Sequence, residues 1–322
     1  MAHSEELRFR AGDVTLAATL ALPDGAGDER RLPWVLLVPS WLPRNRDGDW
    51  DRKGHPTWYA PMPSALPDGL LRRLADALTE HGVASLRYDP RGCGESGGAW
   101  ESSDLFTRID DARDAIGAMR SRRELDLRRT AILGHGEGGG IALSVAISDP
   151  AIGAVGLIGS SARSLRDVLR RGIAERARTG RDREHPIVTA LERIGEELIE
   201  RAERRERAIG IGVGDEAVEL RLAGWEQGIH TPPLALATML HRNVVLAHGT
   251  LDAWADADES TLLTTALTEG GNEPELRLVE RAGHELAEAD APLIGAIAAA
   301  LAARMEPRDL PPVLVAIEEM GS

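Results

Sequence analysis

The sequence predicts an α/β fold in which a mostly parallel sheet is flanked by helices. Short apolar runs alternate along the chain with longer segments whose apolar residues recur every three or four positions. This alternation is typical of strands that are followed by helices. The run at residues 34–38, Trp-Val-Leu-Leu-Val, is continuously apolar, as expected for a strand that is buried on both faces.

The first half of the chain supplies most of the predicted sheet. Strands are expected at residues 14–22, 34–38, 83–88, 130–133 and 154–158. One helix is indicated by Leu70, Leu74 and Leu78, which share a face at helical spacing. The same spacing predicts a helix over residues 105–119, and a helix of small residues is expected at 138–147.

After the fifth strand the pattern changes. Residues 164–209 are rich in Arg and Glu with apolar residues at helical intervals, which predicts inserted helices with a solvated charged face. Strands resume at 243–247 and 275–279, and a long helix is predicted at 286–305. The predicted organisation is a core at 1–162 and 241–306, a helical cap at 163–240 and an irregular tail at 307–322.

Composition excludes several classes of function. The net charge of −14 argues against nucleic acid as a partner, because phosphate binding needs basic patches. No apolar run is long enough to cross a bilayer, and the first residues lack the pattern of a signal peptide. The single cysteine, Cys93, excludes an intramolecular disulfide. A cytoplasmic protein with a small-molecule substrate is expected, and the oligomeric state is left open.

Residues 134–138, Gly-His-Gly-Glu-Gly, follow a predicted strand and precede a predicted helix. This is the context of a nucleophile elbow, Gly-x-Ser-x-Gly, but Gly136 stands where the serine is expected. Asp252 follows the strand at 243–247, and His284 follows the strand at 275–279. The order of elbow, acid and histidine places Asp252 and His284 at the carboxyl edge of the sheet beside the elbow.

Two further segments carry a resemblance to a known family. Residues 39–48, Pro-Ser-Trp-Leu-Pro-Arg-Asn-Arg-Asp-Gly, are similar to a Pro-x-Asp-Arg-Asp-Gly loop, and Asn45 replaces the first Asp. Residues 88–96, Tyr-Asp-Pro-Arg-Gly-Cys-Gly-Glu-Ser, are similar to the turn after the following strand. Together with the elbow, these segments resemble an esterase-like branch of the α/β-hydrolase superfamily, whose elbow normally reads Gly-His-Ser-Glu-Gly-Gly.

The resemblance implies a mostly parallel eight-stranded sheet with an inserted helical cap. It also implies a His284–Asp252 pair and an oxyanion hole formed by the backbone N–H groups of Trp41 and Glu137. Pro39 and Ser40 stand where the family usually has His and Gly, so the hole is expected to be reshaped. Neither a cofactor nor a metal is expected.

Without a hydroxyl at residue 136, an acyl-enzyme cannot form at that position. Three hypotheses follow. His284, oriented by Asp252, acts as a general base on an apolar ester- or acyl-type small molecule, in an elimination, cyclisation, isomerisation or water-mediated hydrolysis. Alternatively, the natural residue is serine and the chain is an inactivated carboxylic-ester hydrolase. In the third, the domain is a catalytically inactive binding protein.

Other candidate groups carry weaker signals. Gly134, Gly136 and Gly139 also match the dinucleotide fingerprint, but no acidic residue ends the next strand. Cys93 is expected to be a packed small residue rather than a nucleophile. Ser40, Ser160 and Ser161 lie at strand ends without the elbow context, and none is predicted to replace the missing serine.

Tryptophans are concentrated near the predicted site, in a chain with only two Phe and two Tyr. This concentration predicts an apolar, aromatic-lined cavity for a small molecule. The predicted substrate-binding residues are Ser40, Trp50, Trp58, Trp100, Trp225, Trp254 and His135.

Overall fold

The computed structural model describes residues 3–27, 30–40, 43–51, 69–100, 103–168, 170–171, 186–211, 218–221, 228, 230–252, 254–309 and 315. Eight of the described strands form one sheet in the order β1-β2-β4-β3-β5-β6-β9-β10. Their bounds are β1 His3–Ala11, β2 Val14–Leu22, β3 Leu32–Val38, β4 Ala84–Tyr88, β5 Leu125–His135, β6 Ile152–Ile158, β9 Asn243–Gly249 and β10 Glu275–Val279. The predicted mostly parallel, eight-stranded sheet is confirmed.

Strand β2 pairs antiparallel with both β1 and β4, and every other pairing in the sheet is parallel. Buried side chains alternate between the two faces of the central strands. Trp34, Leu36 and Val38 of β3 belong to one apolar core, whereas Val35 and Leu37 belong to the other. This period of two explains why the strand is apolar throughout: both of its faces are covered.

Helices cover both faces of the sheet. Their bounds are α1 Leu70–Glu80, α2 Leu105–Met119, α3 Gly138–Ser148, α4 Pro186–Glu203, α5 Pro233–Ala237, α6 Ala257–Glu269 and α7 Ala291–Ala302. Leu74 of α1 and Ile297 of α7 lie in the core on one face. Ile116 of α2, Ile141 of α3 and Leu263 of α6 lie in the core on the other.

The segment between β6 and β9 differs from the expected set of helices. It contains α4, but it also contains the antiparallel strands β7 (Ala208–Ile211) and β8 (Val218–Arg221), which form a separate two-stranded sheet. Leu198 and Ile199 of α4 and Ile209 of β7 are buried, so this segment has apolar packing of its own. The boundaries of the cap at 163–240 stay a prediction.

Strand β1 was missed in the sequence because its outward positions are charged, in the run His-Ser-Glu-Glu-Leu-Arg-Phe-Arg-Ala. It is an edge strand, and only Phe9 and Ala11 of its side chains are buried. Strand β5 begins five residues earlier than predicted, and α7 begins at Ala291 rather than at 286. Helix α7 begins after Asp290 because the Asp290 side chain accepts a hydrogen bond from the backbone N–H of Leu293 and so caps the helix.

Two further findings concern the single cysteine and the character of the helices. Cys93 is buried, as expected for a packed small residue. Among the helices that the structure describes, none combines the length and the apolar character needed to cross a membrane.

Candidate active site

The site lies where the parallel strands end. The carboxyl ends of β3 and β5 are followed by Ser40 and Gly136, and the loops after β9 and β10 carry Asp252 and His284. The chain passes from β3 to β4 on one side and returns to β5 on the other, so a crevice opens between β3 and β5. The sheet topology therefore brings together four residues that are far apart in the sequence.

Gly136 lies at the sharp turn between β5 and α3. Its φ angle is +56°, in the left-handed region that favours glycine. The turn also needs a close backbone approach, since a Cβ on Gly134 would lie 2.0 Å from the carbonyl oxygen of Gly138. The predicted strand–turn–helix context of the elbow is confirmed in its geometry.

The space that a side chain at residue 136 would fill is already occupied. A Cβ placed on Gly136 would lie 2.5 Å from Oγ of Ser40 and 3.1 Å from Nε2 of His284. The hydroxyl of Ser40 and the imidazole of His284 therefore face the same point, where an elbow serine would begin.

His284 and Asp252 form the predicted pair. Nδ1 of His284 lies 2.7 Å from Oδ2 of Asp252, which leaves Nε2 directed toward the elbow. Burial lowers the pKa of His284, but the adjacent Asp252 carboxylate outweighs this effect and holds the pKa above its ordinary value. A neutral His284 with Nε2 free to accept a proton is the arrangement required of a general base.

Asp252 is fixed by several donors. Its Oδ1 accepts hydrogen bonds from the backbone N–H groups of Trp254, at 2.8 Å, and Ala255, at 3.0 Å. Nε2 of the buried His248 lies 3.3 Å from Oδ2. Burial favours the protonated acid, but the charges and hydrogen bonds of His284 and His248 hold the pKa of Asp252 well below its usual range.

His248 had no role predicted from the sequence. It lies on β9 four residues before Asp252, and its Nε2 is also 2.6 Å from the carbonyl oxygen of Ala255. The spacing of His248 and Asp252 across the end of a strand was the available signal. Without the fold, that spacing could not be distinguished from chance.

A second layer of polar residues lies beneath His284. The buried His135 has Nε2 at 3.1 Å from the carbonyl oxygen of His284, and the two rings are 4.7 Å apart. Burial lowers the pKa of His135 to about 4, so the ring is neutral at pH 7 and donates to that carbonyl. Glu285 forms an ion pair with Arg44 and lies 3.6 Å from Nε2 of His135. The expectation that His135 binds substrate is corrected: it supports His284 from behind and does not line the cavity.

His135, His284 and Glu285 also bring potential metal-binding atoms within 4.8 Å of one another. Each of these residues is engaged in a contact with the protein. His135 contacts a backbone carbonyl, His284 pairs with Asp252, and Glu285 pairs with Arg44. These contacts hold the group together without an ion.

One of the two predicted oxyanion donors can be placed. Glu137 is the N-cap residue of α3, and within the described residues no protein acceptor takes its backbone N–H. The helix N-terminus adds partial positive charge at this position. The side chain of Glu137 pairs with Arg108 at 2.6 Å, and burial raises the pKa of its carboxyl group. The second predicted donor, Trp41, lies outside the described residues.

A cavity of about 580 Å³ opens above the elbow. Its floor includes Ser40, Gly136, Glu137 and His284, and its walls are mostly apolar, with Leu105, Phe106, Leu165, Val168, Leu236 and Trp254 among them. An apolar cavity with a few convergent polar groups is typical of a small-molecule site.

Of the described tryptophans that were predicted to line the cavity, one does so. Trp254 lines the cavity. The expectations for Trp50 and Trp100 are corrected, since Trp50 packs beside the Arg44 guanidinium at 5.8 Å and Trp100 is buried away from the cavity. Trp58 and Trp225 lie outside the described residues.

Comparisons with known proteins agree with the observed fold. A family model described as serine aminopeptidase, S33 matches residues 69–181. The structure of Est1E from Butyrivibrio proteoclasticus with bound ferulic acid has a TM-score of 0.63 at 13% identity, over 92% of this chain and 98% of that chain. This chain has the α/β-hydrolase fold.

Two further solved structures are similar. An esterase of Pyrococcus furiosus has a TM-score of 0.61 at 14% identity, over 94% of this chain and 92% of that chain. The α/β hydrolase GrgF from Penicillium sp. sh18 has a TM-score of 0.60 at 17% identity, over 95% of this chain and 99% of that chain. No curated protein matches the chain. Together with the family match, these likenesses support the predicted resemblance to an esterase-like branch, whereas the loop signature at 39–48 stays a prediction.

Proposed function

We propose that this α/β-hydrolase acts on an apolar ester- or acyl-type small molecule, with His284 and Asp252 transferring protons in the cavity above Gly136. The observation that carries the proposal is the direction of His284. Its Nδ1 is held by Asp252 at 2.7 Å, and its Nε2 lies 3.1 Å from the empty Cβ position of the elbow. A general base needs a nitrogen that faces the substrate and is free to accept its proton, and Nε2 of His284 faces the cavity.

The surroundings of His284 suit an acyl substrate. The apolar walls take up the hydrocarbon part of the substrate. The backbone N–H of Glu137, which lines the cavity at the start of α3, is the group that we expect to stabilise the negative charge on the carbonyl oxygen. Est1E and the Pyrococcus furiosus esterase share the fold, which supports esters and related acyl compounds as the substrate class.

The test is hydrolysis of p-nitrophenyl acetate and butyrate by the purified chain, by His284→Ala and by His241→Ala. His241 is an exposed histidine on the loop before β9, and it serves as the matched control. We expect His284→Ala to lose at least about 10³-fold in kcat/KM and His241→Ala to retain full activity.

The inactive-receptor hypothesis predicts a different result. In that case the chain binds acyl compounds with no turnover above the buffer rate, and His284→Ala binds them as well as the natural sequence does. Mass spectrometry of the reaction mixture separates hydrolysis from elimination or cyclisation, because only hydrolysis adds the mass of water to the products.

A further inference from the structure

Ser40 is placed at the elbow by the backbone and not by its own side chain. It follows β3 by two residues, and the first residue of α3 packs on the end of that strand. A Cβ on Gly138 would lie 2.6 Å from the carbonyl oxygens of both Val38 and Pro39. This close approach fixes the position of Ser40 relative to the turn at Gly136.

The hydroxyl of Ser40 lies in the volume that an elbow serine would fill. Because Oγ is 2.5 Å and Cβ is 3.1 Å from the Cβ position of residue 136, a side chain at 136 and the present rotamer of Ser40 exclude each other. Gly136 and Ser40 are thus a complementary pair: one lacks the side chain, and the other supplies a hydroxyl from the neighbouring strand.

Ser40 also has what a nucleophile needs around it. It lines the same cavity as Gly136 and His284, so a substrate in the cavity can reach its hydroxyl. Oγ of Ser40 lies 2.5 Å from the Cβ position of residue 136, and Nε2 of His284 lies 3.1 Å from the same position. The two atoms are therefore close to each other. No hydrogen bond joins them among the described contacts, so the proton transfer requires a side-chain movement that brings Oγ of Ser40 to Nε2 of His284.

From this juxtaposition we propose that Ser40 is the nucleophile of this enzyme and has taken over the part of the missing elbow serine. This inference rests on the proposed function, in which His284 acts as the base. Oγ of Ser40 attacks the acyl carbon while its proton moves to Nε2 of His284, and the bond from the acyl carbon to the leaving alkoxide breaks as the alkoxide takes that proton. Water then attacks the acyl-enzyme, His284 takes a proton from the water, and the acyl–Oγ bond breaks as Ser40 regains its proton.

The proposal reverses the expectation that no serine replaces the missing one. The sequence offered Ser40 as a substrate-binding residue and as the best placed of three serines at strand ends, but without the elbow context. In the structure, the ends of two strands form the elbow region together. The turn after β5 contributes Gly136, which has no side chain, and the end of β3 contributes the hydroxyl of Ser40.

The first experiment is labelling of the full chain with a fluorophosphonate probe, followed by peptide mapping by mass spectrometry. We expect the probe on the peptide that contains Ser40, no label on Ser40→Ala, and undiminished labelling of Ser121→Ala. Ser121 is the matched control because it is an exposed serine in the turn after α2 and does not line the cavity. Labelling elsewhere, or no labelling of the natural sequence, would overturn the proposal.

The second experiment is hydrolysis of p-nitrophenyl butyrate by Ser40→Ala, Ser121→Ala and the double variant Gly136→Ser with Ser40→Gly. We expect Ser40→Ala to lose at least about 10³-fold in kcat and Ser121→Ala to change little. The double variant restores hydrolysis and carries the label at residue 136, since it moves the hydroxyl back to the elbow.

The outcomes separate the two proposals. If Ser40→Ala is as active as the natural sequence while His284→Ala is inactive, Ser40 only fills space and the general-base function stands. If neither substitution changes the rate, both proposals fail. Circular dichroism of each variant ensures that a loss of rate is not a loss of fold.

Discussion

At the scale of single residues, the site is defined by the lack of a side chain at residue 136. The left-handed φ of Gly136 and the nearby Oγ of Ser40 both act against any larger residue there. The backbone strain of a non-glycine residue in this region costs about 1–3 kcal/mol. The turn at residue 136 therefore accommodates glycine without backbone strain and without a clash with Ser40.

We expect Gly136→Ala to lower the free energy of unfolding by about 1–3 kcal/mol, because the new Cβ is strained and meets Ser40. Urea denaturation measures this loss. Gly117→Ala in α2 is the control, since a Cβ there meets no atom within 4 Å and is expected to stabilise the helix slightly. Combining Gly136→Ala with Ser40→Gly should recover part of the loss, and strict additivity of the two substitutions would contradict the steric contact.

A second residue-scale prediction concerns the pH dependence of the reaction. His284 must be neutral to accept a proton, and the Asp252 carboxylate holds its pKa above the ordinary value. Asp252→Asn removes the charge that raises this pKa, so the acidic limb of the kcat/KM profile moves to lower pH. The same change is expected to reduce kcat by about 10⁴-fold, because the Asn amide donates to Nδ1 and favours the tautomer in which Nε2 already carries the proton. An unshifted limb, measured with p-nitrophenyl butyrate from pH 5 to 9, would show that His284 is not the titrating base.

At the scale of elements, the loop after β3 is tied to the turn after β4. The Arg46 guanidinium donates to the buried Asp89 from Nε at 3.1 Å and from Nη2 at 2.7 Å. Asp47 accepts from Arg87 at 2.7 Å. The two loop segments that carried the family resemblance thus contact each other, and this pairing gives a physical reason for their charged residues. It holds the chain that follows Ser40 against the sheet.

We expect Arg46→Ala to destabilise the protein by about 3–5 kcal/mol, because it leaves the buried Asp89 carboxylate without its charged partner. Arg46→Lys keeps the charge but loses the two-point contact, and it should fall between the natural protein and the alanine variant. Arg113→Ala is the control, since the Arg113–Asp110 pair on α2 is exposed and contributes little. Equal thermal midpoints for Arg46→Ala and Arg113→Ala would contradict a structural role for the Arg46–Asp89 pair.

At the scale of the whole molecule, the buried polar layer under the site couples stability to pH. Burial lowers the pKa of His135 from its ordinary value of 6.5 to about 4. Between these values the unfolded chain binds a proton that the folded chain does not bind. The free energy of unfolding therefore falls as the pH decreases through this window.

His135→Asn should flatten this pH dependence. Between pH 7 and pH 4, the natural protein is expected to lose about 3 kcal/mol more than the variant. Guanidinium unfolding at several pH values measures the difference, and comparing the two proteins cancels the contributions of groups that they share. His241→Asn, at an exposed position on the loop before β9, is the matched control substitution. Parallel curves for His135→Asn and the natural protein would show that His135 is not held neutral.

The sequence by itself determined the order of the main elements and the identities of the elbow, Asp252 and His284. These features depend on local patterns, because apolar runs and turn residues repeat at spacings that can be read along the chain. The edge strand β1 and the pair β7–β8 escaped prediction because strand pairing between charged or short segments leaves no such pattern.

Only the tertiary structure decided which side chains meet. His248 belongs to the site because β9 pairs with β10, and His135 belongs to it because β5 ends at the same edge of the sheet. Ser40 faces the elbow because the start of α3 packs on the end of β3. Trp50 and Trp100 point elsewhere for the same reason. A contact between residues that are distant in the sequence depends on the register and direction of whole strands. No local sequence pattern shows that geometry.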